Sequence, residues 1–181
     1  FLISAGSKEA CKNWVNLQST PIFKDVHTLE SPCVTTEETI RNKDVKTDKD
    51  VYKKLAENMY DCWDQYGRGE SDFYSYLFIS AGDKYFSICS EIKIDSDLEK
   101  GKRNLDVDEF EKYLTNNHPS GRRETYAEFF VKANNAQINF GSGSINLDLN
   151  KNIYTIFAVY KKGASPNYIE MPQASLEQTG F

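Results

Sequence analysis

Four cysteines, at positions 11, 33, 62 and 89, and two histidines, at 27 and 118, are the side chains best suited to bond-making chemistry. No cysteine pair has the C-x-x-C spacing of a zinc or thioredoxin-like site. The thiols therefore read either as two disulfides or as four reduced, buried side chains. Four cysteines allow three pairings, and Cys11–Cys33 with Cys62–Cys89 is the favoured one. The first bridge staples an N-terminal helix to the extended segment after it. The second joins the inner face of a long helix to a strand. Each closes a loop of a size that gives on the order of 3 kcal/mol in the chain-entropy model. Bridged, the chain belongs to an oxidising, extracytoplasmic compartment; reduced, it fits the cytosol.

Other chemistry is weakly signalled. Asp95, Asp97 and Glu99 alternate hard oxygen ligands and make a weak calcium candidate, but Lys100 stands where a calcium loop needs glycine. Lys100, Lys102 and Arg103 would compete with the cation, so a solvated turn before a capped helix is the simpler reading. Gly67-Arg68-Gly69 follows a helix instead of opening one, which suits a helix stop and not a phosphate loop. Gly141-Ser142-Gly143 lacks the nucleophile-elbow pattern and reads as a hairpin tip. His27 and His118 have no H-E-x-x-H context, and His118 precedes Pro119 as in a surface turn. The sequence thus offers no catalytic residue, no resident metal and no cofactor.

The elements that would carry these residues can be read from periodicity. Residues 7–19 form a helix with Ala10, Cys11, Trp14, Val15 and Leu17 on one face. Residues 22–39 are mixed extended pieces, and 41–49 a charged loop. Val51, Leu55, Met59, Cys62 and Tyr66 recur at helical spacing and predict a long amphipathic helix over about 47–66, capped by Thr47. Residues 84–95 alternate as a strand, with Phe86, Ile88, Ser90, Ile92 and Ile94 on one face and Cys89 on the other. Asp106 caps a short helix, 124–133 is helical with Tyr126, Phe129 and Phe130 inward, and 137–149 is a hairpin. Residues 153–160 are an apolar last strand. The expected fold is α+β: an antiparallel β-sheet packed against the 47–66 helix and stapled by disulfides.

The chain has 181 residues, 13% of them aromatic and 27% charged, with a net charge of −5. That suffices for one domain with a substantial core, expected over 1–162. The mildly acidic balance argues against nucleic-acid partners. Phe1-Leu2-Ile3 is an apolar stub and predicts a membrane anchor or cleaved signal upstream of Phe1, an arbitrary boundary being the plainer reading. The tail over 163–181 carries Tyr168, Ile169, Met171 and Phe181, expected to pack on its own domain or a neighbouring chain. The aromatics Tyr60, Trp63, Tyr66, Phe73, Tyr74, Tyr76 and Phe78 read mainly as core, with exposed members available to a partner or a glycan.

Asp61-Cys62-Trp63 at a helix end, the Gly67-Arg68-Gly69 stop and Tyr85-Phe86-Ser87-Ile88-Cys89 resemble a family of uncharacterised archaeal proteins. Ala10-Cys11-Lys12-Asn13 and Pro32-Cys33 are similar to that family's first cysteine pair. The resemblance implies a protein anchored to, or secreted from, an archaeal cell, and supplies no activity.

Together these readings predict a non-enzymatic extracellular structural or interaction protein, such as a subunit of a surface filament or coat. Self-association or other surface proteins would be its partners, through Trp14 and the tail. A monomeric ectodomain that binds a glycan or peptide is the alternative, and a secreted hydrolase the third.

Overall fold

The computed structural model describes residues 8–20, 31–69, 84–95, 105–131, 146–147 and 152–160. Within them the order is α1 (Lys8–Gln18), β1 (Thr36–Ile40), α2 (Asp48–Gln65), β2 (Lys84–Ile94), β3 (Leu105–Asp106), α3 (Val107–Asn116), α4 (Tyr126–Val131), β4 (Asn146–Leu147) and β5 (Ile153–Tyr160).

Helix α2 starts where Asp50 turns back on the chain. Its Oδ2 accepts from the backbone N–H groups of Lys46 and Thr47, each at 2.8 Å, which satisfies donors that a helix start leaves unpaired. The helix buries Val51, Tyr52, Leu55, Ala56, Met59 and Cys62. It ends at Tyr66, because Gly67 and Arg68 both take left-handed backbone angles (φ 75° and 59°). Glycine does this without strain, whereas Arg68 needs support from its side chain.

The fold is α+β, with a small three-stranded sheet ordered β1-β2-β5. The sheet is mixed, which corrects the expectation of an antiparallel one. β2 and β5 are antiparallel, but β1 runs parallel to β2, with Thr36 opposite Ser90 and Ile40 opposite Ile94. The cause is α2 itself: it is the crossover between β1 and β2, and a helical crossover returns the chain in its original direction. β1 was hard to foresee, since Thr-Glu-Glu-Thr-Ile has one apolar residue. It is tied to α2 by Glu38, whose Oε2 accepts from the Asn58 amide at 2.7 Å.

A second correction concerns the faces of β2. Its pairing with β5 shifts register between Ile88 and Ser90, a β-bulge. One extra residue reverses the alternation. Ahead of the bulge Phe86 and Ile88 are on the exposed face, at 51% and 44% exposure; beyond it Ser90 and Ile92 are buried. Cys89 is buried beside Ser90, so the bulge turns two consecutive side chains inward.

The main core joins α2 to Ile40, Val45, Ile92, Leu105, Phe110, Leu114, Tyr126, Phe129, Phe130 and Ile153. Val45 lies in the 41–49 stretch expected to be a solvated loop, yet it is buried. Asp106 caps α3, its side chain accepting from the backbone of Asp108 and Glu109. The Tyr52 hydroxyl holds the same corner, accepting from the Asp106 N–H at 3.2 Å. β4 pairs antiparallel with β3 as a separate two-stranded sheet. The remaining residues of 137–149, expected as a hairpin, lie outside the described residues.

Two predictions follow from this packing. Ile92→Ala lowers unfolding free energy in urea by about 2–4 kcal/mol, and Ile88→Ala by less than about 1 kcal/mol; the reverse ranking contradicts the bulge. Burial, with Glu57 as the next contributor, pushes the Tyr126 hydroxyl up to about 12. Burial also raises Tyr52 and Tyr113. A raised folded value means stability is intact below the ordinary tyrosine value of about 10 and is lost as pH rises through the folded value. Absorbance near 295 nm should therefore show these tyrosines ionising last, together with unfolding.

Candidate functional site

Beside the main core lies a second, smaller one, and it gathers all four cysteines. Cys11, Val15, Cys62, Tyr66, Cys89 and Phe157 are buried in it, with Trp14, Cys33 and Trp63 half-buried around them. The bridges are Cys11–Cys33, with Cα atoms 4.6 Å apart, and Cys62–Cys89, with Cα atoms 5.6 Å apart. None of the four thiols is free. The cluster therefore holds no thiolate for nucleophilic attack or metal ligation, and its chemistry is cross-linking.

Each bridge has an element that places it. Cys11 faces inward from α1 between Ala10 and Val15, both nearly fully buried. Cys33 sits on the irregular stretch before β1, where its N–H donates to the Ser31 hydroxyl at 3.2 Å. Cys62 lies in the last turn of α2, and the β2 bulge brings Cys89 to it. The Gln65 amide lies 4.0 Å from the Cys89 sulfur. Around them the rings of Tyr66 and Phe157 stack at 4.2 Å, and Trp63 meets Phe157 at 5.9 Å. The Tyr66 hydroxyl bonds Ser87 on β2.

Charge completes the docking of α1. Lys8 pairs with Asp61, and Lys12 Nζ lies 2.5 Å from Asp64 Oδ2. The other oxygen of Asp64 accepts from Arg68 Nε at 2.7 Å. This bond supports the left-handed Arg68, whose guanidinium also lies 5.3 Å from the Phe129 ring centre. Phe129 meets Tyr60 at 4.4 Å, and the Tyr60 hydroxyl accepts from Arg122 at 3.1 Å. One chain of contacts thus runs from α1 across the end of α2 to α4. Burial alone would raise the Asp64 carboxyl, but the hydrogen bonds and charges of Lys12 and Arg68 outweigh it and hold it below the usual carboxylate range.

Sequence reasoning named the four cysteines and Trp14, and the structure brings these five together. It did not single out Lys12, Asp64 and Arg68. Their signal was present: Lys8 and Lys12 are four apart on α1, and Asp61 and Asp64 three apart on α2, each pair on one helical face. Tyr168, Ile169, Met171 and Phe181 lie outside the described residues, as do Asp97, Glu99 and His27. Asp95 is described; its N–H extends the β1 pairing by donating to Ile40 at 3.0 Å. Among the described residues no group of three His, Cys, Asp or Glu side chains is placed to hold a metal, and no helix is long and apolar enough to cross a membrane. His118 is exposed, on the irregular stretch between α3 and the turn at Ser120–Gly121. No protein-family model, curated protein or solved structure matches this chain.

The depressed Asp64 sets a direction with pH. Stability from this group is present above the unfolded aspartate value and is lost as pH falls through the lower folded value. Asp64→Asn should cost roughly 1 kcal/mol at neutral pH and flatten the acid limb of a stability profile measured by urea unfolding. An acid limb identical to that of the unaltered protein counts against the Lys12–Asp64–Arg68 arrangement.

Proposed function

We propose that this chain is a non-enzymatic extracellular structural or interaction protein, working as a subunit of a cell-surface filament or coat. The observation that carries this reading is the state of the cysteines: all four are bridged, and three of them are deeply buried. Structural disulfides of this kind persist in oxidising compartments. In this reading α2 is the long amphipathic spine that the sheet, α1 and the aromatic helices share.

The outer face of the sheet supports an assembly role. On β2 Phe86 is 51% exposed and Ile88 44%, and Val34, 50% exposed, lies on the segment before β1 that the Thr35 hydroxyl ties to the Ile88 carbonyl at 2.8 Å. Exposed apolar side chains grouped in this way are characteristic of interaction surfaces. Self-association through this face and through the tail residues Tyr168, Ile169, Met171 and Phe181 is the expected mode.

Sedimentation velocity across a concentration series tests the assignment. The protein should associate as concentration rises, and Val34→Asp with Ile88→Asp, or removal of residues 163–181, should shift it to monomer. A protein that stays monomeric throughout overturns the subunit reading and leaves the ectodomain that binds a glycan or peptide.

A further inference from the structure

The two bridges share one cluster, but they differ in access. Cys11, Cys62 and Cys89 are 1%, 4% and 6% exposed. Cys33 alone is half-buried, on the irregular stretch 31–35 beside exposed Ser31 and Val34. Thiol–disulfide exchange requires a thiolate to reach a sulfur atom, so access decides which bridge reacts. The Cys62–Cys89 bridge offers no comparable approach, being buried at both ends with the Gln65 amide beside Cys89.

We propose that Cys11–Cys33 is a reducible latch that releases α1, while Cys62–Cys89 is the permanent bridge of the body. A dithiol reductant opens it in two steps. Its thiolate attacks the Cys33 sulfur, the S–S bond breaks, and Cys11 leaves with the electron pair and takes up a proton. The reductant's second thiolate then displaces Cys33 from the mixed disulfide. The reductant departs as its own disulfide, and the protein has gained two electrons and two protons.

Opening the latch matters because the bridge is the one cross-link that ties the segment before β1 to α1. At 11 residues it is too short to be a stable helix alone. It is otherwise held by the burial of Ala10, Cys11 and Val15 and by the Lys8–Asp61 and Lys12–Asp64 pairs, the first of them well exposed. Beneath it lie Cys62, Tyr66 and Phe157. The latch thus couples a redox event to the uncovering of an apolar surface. Both tryptophans of the chain pack in this cluster, so their emission reports the event. The inference rests on the bridges alone and holds whether or not the protein assembles.

The test is graded reduction of the native protein with dithiothreitol, pulse alkylation with N-ethylmaleimide and peptide mass mapping. Cys11 and Cys33 should be labelled on the order of tenfold or more faster than Cys62 and Cys89. Tryptophan emission should change with the first pair. Equal rates, or Cys62 and Cys89 first, overturn the latch. In Cys11→Ser with Cys33→Ser, limited proteolysis should cut within residues 8–20 while the Cys62–Cys89 body stays folded. A resistant α1, or a body that no longer folds, also overturns it.

Discussion

Four sulfur atoms placed in one apolar cluster tie the outer pieces of this small fold to its long helix and sheet. α1, the segment before β1, α2 and β2 each contribute one cysteine, so the two bridges tie together four pieces that are distant in sequence. The bridged residues are separated by 22 and 27 positions. Loops of that length give about 3 kcal/mol each in the chain-entropy account, a large share of the 5–15 kcal/mol typical of a domain. The constraint is felt most by α1, which has only three buried residues to hold it.

The main core is of another kind. It contains no cysteine, and α2 presents a buried face in it to the sheet and to the aromatic helices α3 and α4. The rings of Tyr52, Tyr113, Tyr60 and Tyr126 pack together here, and the hydroxyls of Tyr52 and Tyr60 accept hydrogen bonds from Asp106 and Arg122. Between the two cores runs the Asp64–Arg68–Phe129 contact, which explains how a non-glycine residue is kept in a left-handed turn at the end of α2. The proposed latch would make the docking of α1 conditional on the redox state of its surroundings, while the Cys62–Cys89 bridge stays closed within the body.

Local signals were legible where one physical rule governs them. The helical spacing of Val51, Leu55, Met59, Cys62 and Tyr66, the cap at Asp106 and the apolar run of β5 are each decided by neighbours within a few residues. The cysteine pairing was legible because three of the four cysteines sit on elements that periodicity placed, Cys33 lying on the mixed stretch beyond the first helix. The direction of β1 was not, since a strand with one apolar residue carries no trace of its partner. The β2 faces were missed for a sharper reason: a bulge changes the alternation by one residue, and only the pairing with β5 specifies where it falls. The Lys12–Asp64–Arg68 group was present as spacing on two separate helices, but nothing local says that those helices meet.

The account stands on the pairing and completeness of the bridges, and non-reducing peptide mass mapping of the natively purified protein tests it most directly. Alkylated in denaturant without reductant, the protein should carry no label and should yield only the 11–33 and 62–89 linked peptides. Labelled cysteines, or linked peptides with exchanged partners, would contradict it.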